Sequence, residues 1–505
     1  MSEDVQPEAA ARPRSLASQL FELTRHSAIY GIGGLTSRFL AVFMLPLYTS
    51  YIYAGDYGRI EILTSAMAVA VVVIRGGANF GFIRFYFLEK EPDYRRRLIR
   101  TVFWTQMTYS TLALILCVLF APQIADALGV AFHPGAHLQG SGTNLVYATA
   151  VLLWVNVNYA QMTNLFRAEQ RSVAFTLATL TNIAVTVPIT VLLVVVYKHG
   201  PLGIIVGNLS GTLIVYAALL GYRREQLGLQ WDGRLLRTMN RFGIPLMAAA
   251  LAMWVTNFGD RLMLSKLLHG HDAVIQVGQY SLANKISSAM VLVFTAFQVA
   301  WPAFAYSIED EDEAKRTYSY VLTYLMFIAA WAAVGLSLFA PWIVHLLGRK
   351  HGYWPAENAV PALAYSSVFF AGFIVVTIAT GRARRTQFNW IAATAAAALN
   401  FGLNVWLIPA YGMLGAAYAT LAAYVLLMVM RTWNAQTVYP VRYQWRRVAI
   451  LLLAAGALTG VGEAFHRSLV LAAALTVAYP LLLLPLGFYL PAERKRLRRL
   501  LPAHN

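Results

Sequence analysis

The chain has 505 residues, of which 58% are hydrophobic and only 12% are charged, and its formal net charge at pH 7 is +17. Soluble proteins contain about a quarter charged residues, so this composition excludes an ordinary soluble enzyme and indicates that most of the chain lies in lipid. In such a protein an excess of Lys and Arg is typical of cytoplasmic loops, and it does not indicate nucleic-acid binding. The single cysteine, Cys117, excludes an intramolecular disulfide and a Cys-based metal site.

The predicted elements begin after a tail, residues 1–26, that is rich in Ala, Pro, Glu and Arg and has no apolar core followed by a cleavage site. Apolar stretches of about 20 residues, long enough to cross a bilayer as helices, then fill the chain. We predict about fourteen of them, at residues 27–50, 58–82, 100–121, 144–166, 172–197, 201–221, 242–267, 275–306, 317–340, 355–380, 386–408, 412–433, 447–465 and 468–490.

The distribution of Lys and Arg predicts the orientation of these spans. Every second connecting segment is basic, and the segments between them are poor in charge; residues 123–144 contain no Lys or Arg. Because basic residues stay on the cytoplasmic side, the alternation requires an even number of spans with both termini in the cytoplasm. Omitting one span would destroy the pattern.

An internal repeat divides the chain into halves. The segment from Gly55 to Met67 resembles the segment from Gly278 to Met290, which follows it by 223 positions. Both copies lead from one span through an outside turn into the next, which predicts a parallel repeat about an axis along the membrane normal. The predicted domains are a tail (1–26), a six-helix bundle (27–221), a cytoplasmic linker (222–241), a second six-helix bundle (242–434), two additional helices (435–490) and a basic tail (491–505).

Several short strings carry a family resemblance. They are Gly-Asp-Tyr-Gly at 55–58, Phe-Ile-Arg-Phe-Tyr-Phe at 82–87, Arg-Phe-Gly-Ile-Pro at 241–245, Asn-Phe-Gly-Asp-Arg at 257–261 and Val-Gly-Gln-Tyr-Ser at 277–281. The chain resembles the multidrug/oligosaccharidyl-lipid/polysaccharide exporter superfamily and, within it, the Wzx-type polysaccharide flippases.

The resemblance implies two bundles that face each other across a central cavity in the bacterial cytoplasmic membrane. By alternating access they would carry a polyprenyl-diphosphate-linked oligosaccharide to the outer leaflet for surface polysaccharide biosynthesis. The implied partners are this lipid-linked oligosaccharide, membrane lipids, and polysaccharide polymerase and glycosyltransferases. No cofactor and no catalytic residue are implied.

Ionisable side chains within the spans are the candidate functional residues, because a charge in the hydrocarbon layer costs several kcal/mol and usually faces a partner or a wet cavity. They are Arg38, Arg75, Asp260, Arg261 and Lys285. The cationic members could bind diphosphate oxygens through charge-assisted hydrogen bonds. The repeat aligns Arg38 with Arg261 and so predicts one arginine on each bundle. One carboxylate, that of Glu61, lies on the same helix face as Arg75. Glu61 and Asp260 are the candidates for ion pairing or gating.

Structural roles remain open for the same side chains. Arg261 could pair with the adjacent Asp260 or with another local partner. Arg38 could bond backbone carbonyls or extend to the membrane surface, and Lys285 could reach the lipid headgroups. Sugar contacts would be made by Asn257, Gln298 and Trp254, which share helices with these charges, although Trp is also common at membrane interfaces. His133 and His137 lack the further ligands of a zinc site, so we predict no metal.

Two other functions compete with the flippase. A multidrug or organic-cation antiporter of the same fold would need membrane carboxylates, whereas the intramembrane charge here is mainly cationic. A membrane glycosyltransferase or polymerase commonly needs a large outside loop, and the longest one predicted here has about 20 residues. No nucleotide-binding motif is present, so we predict a transporter that does not use ATP directly.

We predict that residue 93 faces the cytoplasm and residue 139 faces outside. In a variant that lacks Cys117, Asp93→Cys should resist an impermeant thiol reagent in intact cells, and Gln139→Cys should react. Labelling of position 93 without cell lysis would reverse the predicted orientation.

Overall fold

The computed structural model describes residues 36, 40, 42–89, 91–131, 139–224, 227–268, 270–383, 388–465, 468–491 and 493. Every regular secondary-structure element in this part of the chain is a helix. The helices of the first half are α1 (Leu45–Tyr51), α2 (Ala54–Leu88), α3 (Pro92–Leu119), α4 (Ala121–Leu128), α5 (Gly142–Ala168), α6 (Ser172–Val191, extended by a π-helical turn, Leu192–Val196) and α7 (Gly200–Tyr222).

The second half continues in the same way. Its helices are α8 (Gly233–Leu267), α9 (His271–Ser307), α10 (Glu311–Leu338), α11 (Ala340–Leu347), a 3₁₀ turn (His351–Asn358), α12 (Val360–Arg382), α13 (Asn389–Tyr411), α14 (Met413–Val438), α15 (Trp445–Ala464) and α16 (Leu469–Leu482).

Within the described residues, ten helices are long and apolar enough to cross a membrane: α2, α3, α6, α7, α8, α10, α12, α13, α14 and α15. α5 and α9 have 27 and 37 residues, and the shorter α1 and α16 overlap the first and last predicted spans. The predicted all-α membrane fold of about fourteen spans is therefore confirmed. Most helices extend beyond the predicted spans; α8 begins at Gly233, so the second part of the predicted linker is helical.

The helices pack as two bundles with two helices added. In the first half α5 lies against α3 and α7, and α7 also contacts α6. In the second half α14 lies between α12 and α13, while α9 and α10 pack on α12. α15 and α16 contact each other and α10, outside the second bundle. α2 joins the halves, since its most extensive contacts are with α8 and α9.

The two ends of the molecule differ in charge. We call the end at which α2, α5, α7, α9, α12 and α14 terminate the basic end, and the opposite end the neutral end. At the basic end the buried Arg223 forms a 2.8 Å ion pair with Glu169. At the neutral end two contacts between uncharged groups join the halves: the Tyr353 hydroxyl donates to the carbonyl of Ile52 at 3.1 Å, and the Thr49 hydroxyl donates to that of Leu347 at 2.5 Å.

Backbone contacts between the halves are closest at α2. Near the neutral end a Cβ on Gly278 of α9 would lie 2.0 Å from the carbonyl oxygen of Ala54. Nearer the basic end a Cβ on Gly243 of α8 would lie 1.8 Å from the carbonyl oxygen of Gly77. Between these contacts α2 is kinked at Gly76, whose φ of 56° and ψ of −176° are accessible almost only to glycine. α2 therefore approaches the backbone of α9 most closely near its start and that of α8 just after its kink.

Substituting Ala for Gly278 should force α2 and α9 apart. Overpacking of this kind costs about 1–3 kcal/mol in the free energy of unfolding. Chemical or thermal denaturation of the purified protein in detergent would measure the loss.

Gly460→Ala is the matched control, because nothing lies within 4 Å of a Cβ at that position of α15. It should leave stability unchanged or raise it by up to about 1 kcal/mol through helix propensity. Equal stability of the two variants would show that the α2–α9 contact is not tight.

Candidate functional site

A buried ionic cluster joins the two bundles near the neutral end. Glu61 projects from α2, and its Oε1 accepts a hydrogen bond from the Nζ of Lys285 on α9 at 2.5 Å. The Nε of Arg261 on α8 lies 3.5 Å from the other carboxylate oxygen. Lys285 also donates to the hydroxyl of Tyr57, one turn before Glu61. The carboxylate of one bundle thus holds two cations of the other.

Arg261 is fixed from several directions. Its side chain is 5% exposed, its Nε donates to the Ser281 hydroxyl at 3.1 Å, and its Nη1 donates to the carbonyl oxygen of Asn257 at 2.9 Å. Its carboxylate partner is Glu61, from the other bundle, rather than the adjacent Asp260. Consecutive residues of a helix do not face each other, which explains why Asp260 points elsewhere.

Asp260 is bound entirely by neutral donors of its own bundle. Its carboxylate accepts hydrogen bonds from the hydroxyl of Tyr280 at 2.5 Å, the amide of Asn404 at 2.6 Å and the hydroxyl of Thr420 at 2.8 Å. These side chains come from α9, α13 and α14. Hydrogen bonds to a charged group are the strong ones, so this network ties four helices of the second bundle together.

Two cavities flank the ionic cluster. The first-bundle cavity, of about 270 Å³, is lined by Glu61 and Lys285 together with Thr186 and Asn208 of α6 and α7. The second-bundle cavity, of about 290 Å³, lies among α8, α9, α12, α13 and α14. Thr420 links Asp260 to the second-bundle cavity, because its hydroxyl donates to the carboxylate of Asp260 and its side chain lines that cavity.

The remaining sequence-predicted residues are spread along the same helices. Arg75 directly precedes the kink of α2, and its buried Nε has no hydrogen-bond partner among the described residues. The indole of Trp254 donates to the carbonyl oxygen of Ser65 at 3.0 Å and so links α8 to α2. Asn257 lines the second-bundle cavity, and Gln298 is exposed on α9. Arg38 lies outside the described residues.

The structure adds residues that sequence reasoning missed. Tyr57 accepts a hydrogen bond from Lys285, Tyr280 donates one to the carboxylate of Asp260, and Arg431 of α14 lines the second-bundle cavity. Arg431 lies near the end of the predicted span 412–433 and was counted with the basic segment that follows, whereas α14 continues to Val438. The available sequence signal was helical spacing, which places Arg431 on the same face of α14 as Thr420 and Tyr424.

Nothing in the described part of the chain brings three or more His, Cys, Asp or Glu side chains together as a metal site. His133 and His137 lie outside the described residues.

A family model for polysaccharide biosynthesis proteins matches residues 51–352, more than half of the chain. The chain belongs to this family. The match extends from the end of α1 to the 3₁₀ turn, and so includes all three residues of the Glu61, Arg261 and Lys285 cluster.

Other proteins are similar to the chain in sequence or in fold. An uncharacterized membrane protein of Methanocaldococcus jannaschii is 22% identical over 463 residues, which cover 81% of this chain and 84% of the relative. The structure is similar to that of the lipid II flippase MurJ in an inward closed conformation, with a TM-score of 0.71, 14% identity and coverage of 90% of this chain and 98% of MurJ.

A multidrug resistance transporter of the MATE family and the MOP superfamily, in an inward-facing conformation, gives a TM-score of 0.59 at 13% identity, with coverage of 78% of this chain and 94% of that chain. The predicted resemblance to the exporter superfamily is confirmed.

Glu61→Gln should destabilise the protein more than Arg261→Gln. The first change leaves two cations without a carboxylate, and breaking a buried ion pair costs about 3–5 kcal/mol. The second change leaves Glu61 paired with Lys285. Adding Arg261→Gln to Glu61→Gln should therefore recover part of the lost stability, as measured by denaturation in detergent.

Asp93→Asn is the control for this series. It removes an exposed pair with Arg96, 3.7 Å long with side chains 59% and 72% exposed, and should cost no more than about 1 kcal/mol. Additive effects of the two buried substitutions would contradict a direct interaction between Glu61 and Arg261.

Proposed function

We propose that this protein is a flippase that translocates a polyprenyl-diphosphate-linked oligosaccharide across the bacterial cytoplasmic membrane by alternating access. The observation that carries the proposal is the cluster of two cations and one carboxylate between the two bundles, flanked by two cavities, in a member of a polysaccharide biosynthesis family. The fold of the family supports a transporter rather than an enzyme.

The diphosphate is proposed to bind at Arg38, Arg75, Arg261 and Lys285. Two observations support this: the cluster contains two cations and one carboxylate, and the buried Nε of Arg75 has no partner among the described residues. Arg and Lys donors in a low-dielectric cavity bind phosphate oxygens strongly. The oligosaccharide would contact Asn257, Gln298 and Trp254.

Glu61 and Asp260 are proposed to act in gating. With the neutral end closed, Glu61 pairs with both Arg261 and Lys285 and offsets one of their two charges. A diphosphate that approaches these cations competes with Glu61, which belongs to the other bundle. Binding would thereby weaken the bond between the bundles and favour opening of the neutral end, because a ligand shifts an equilibrium by its differential affinity for the two states. Asp260 holds the second bundle rigid during this exchange.

The orientation follows from the charges at the two ends. The basic end is proposed to face the cytoplasm, with both termini on that side, because cytoplasmic segments are rich in Lys and Arg. The inward conformations of MurJ and of the MATE transporter support an inward state for this structure. The domain boundaries predicted from the repeat, and contacts with polysaccharide polymerase and glycosyltransferases, belong to the same proposal.

Reconstituted protein should move a lipid-linked oligosaccharide between leaflets. Liposomes are loaded with a short-chain polyprenyl-diphosphate oligosaccharide, and an impermeant sugar-oxidising reagent measures how fast inner-leaflet sugars become exposed. Loss of one charge-assisted contact costs about 1.5–3 kcal/mol, so Arg261→Gln or Arg75→Gln should weaken apparent affinity about tenfold to hundredfold. Lys at either position should restore part of it, since the charge is kept without the fork geometry.

Arg442→Gln is the matched control, since Arg442 is exposed and lies between α14 and α15. It should leave the exposure rate unchanged. Transport of organic cations without movement of the lipid-linked oligosaccharide would instead identify a multidrug antiporter, and polymerisation of the sugar would identify an enzyme.

A further inference from the structure

A buried arginine faces the second-bundle cavity without an anionic partner. Arg431 is 6% exposed, and it lines this cavity with Thr420, Tyr424 and Leu427 of the same helix face. Its Nε and Nη1 atoms are buried and have no hydrogen-bond partner among the described residues. None of the residues that line the cavity is an Asp or a Glu.

A buried guanidinium without a partner is energetically unfavourable, because a buried charge needs a counter-ion or hydrogen bonds. The ring of Phe373 lies 5.3 Å from the guanidinium carbon and supplies a cation–π contact. This contact compensates only part of the desolvation and leaves the N–H donors unsatisfied. The cavity is therefore suited to a ligand that brings one anionic group to Arg431.

The remaining lining suits a sugar. The hydroxyls of Ser366 and Ser367 donate to the carbonyl of Leu363, so their oxygens remain available as acceptors. The amide nitrogen of Asn257 donates to a carbonyl of its own helix, which leaves its oxygen free to accept. Aromatic rings, among them that of Tyr424, supply an apolar surface. A few polar groups on an aromatic lining are the usual composition of a small-molecule site.

We propose that this cavity binds a carboxylate-bearing sugar residue, a uronic acid, with its carboxylate on the guanidinium of Arg431. The identity of the sugar as part of the transported oligosaccharide rests on the proposed function. The single cation matches a monoanionic carboxylate, whereas a diphosphate carries more charge and is better matched by the two cations beside Glu61. At about 290 Å³ the cavity is near the lower limit for small-molecule sites, roughly 300–1,000 Å³, which suits one sugar unit.

The test measures the binding of three probes to the purified full-length protein in detergent. Intrinsic tryptophan fluorescence and the shift in melting temperature report the binding. The probes are methyl glucuronide, methyl glucoside and inorganic pyrophosphate. Methyl glucuronide should bind the wild type at least tenfold more tightly than methyl glucoside. Arg431→Gln should abolish this preference, and Arg431→Lys should keep part of it.

A second readout separates a ligand-binding arginine from a structural one. Because Arg431→Gln removes an unpaired buried charge, the ligand-free variant should melt at the same temperature as the wild type or higher. Arg442→Gln is the control for the loss of an arginine outside the cavity, and it should keep both the preference and the melting temperature.

Three outcomes would overturn the proposal: equal binding of glucuronide and glucoside, an unchanged preference in Arg431→Gln, or binding of pyrophosphate alone at Arg431. The flippase itself is tested separately by movement of a lipid-linked oligosaccharide made only of neutral sugars. That movement should persist in Arg431→Gln, so a failure of the uronic-acid site and a failure of the flippase give different results.

Discussion

The contact of Glu61 with Arg261 and Lys285 is the interaction on which the arrangement of the two bundles depends. It crosses from α2 to α8 and α9, next to the close backbone approach of Gly278 and Ala54. Small residues bring the helices close enough for the side chains to meet, and the ionic groups then favour that register because each would be costly if left alone in the membrane. Close packing and charge pairing therefore act at the same place.

The string Gly-Asp-Tyr-Gly at 55–58 shows how one local sequence serves this junction. Gly58 allows α9 to approach, and Tyr57 accepts a hydrogen bond from Lys285. Asp56 forms a fully buried 3.2 Å pair with Arg59, whose Nε donates to the carbonyl of Val130 at 3.0 Å. The start of α2 is thereby anchored to its own bundle while its other face is presented to the second bundle.

Hydropathy and loop charge were enough to predict the fold, because a spanning helix must be apolar over its whole length and its ends are marked by charge. The rarity of intramembrane charge likewise singled out Asp260, Arg261 and Lys285, and the helix face of Arg75 singled out Glu61. The pairing of Glu61 with Arg261 and Lys285 could not be predicted, since it depends on the tertiary approach of residues that are 200 and 224 positions apart in the chain. Arg431 was missed because hydropathy reports where a helix stops being apolar, and α14 continues past that point.

The two cavities differ in whether their cation has a carboxylate partner, and this difference bears on substrate recognition. Lys285 borders the first-bundle cavity beside its carboxylate partner, whereas Arg431 borders the second-bundle cavity with no such partner among the described residues. A neutralised cation must be released before it can bind a ligand, and an unpaired one binds directly. The first arrangement suits a gate and the second suits a site of fixed geometry.

The unequal charges of the cluster also determine how it responds to membrane voltage. When the bundles separate, Glu61 moves with one and the two cations with the other. A charge that shifts by a tenth of the membrane thickness changes the free energy by only about 0.2 kcal/mol per 100 mV, since a full crossing is worth about 2.3 kcal/mol. Breaking a buried pair costs about 3–5 kcal/mol. The membrane potential would thus exert only weak control over a separation of the bundles at this junction.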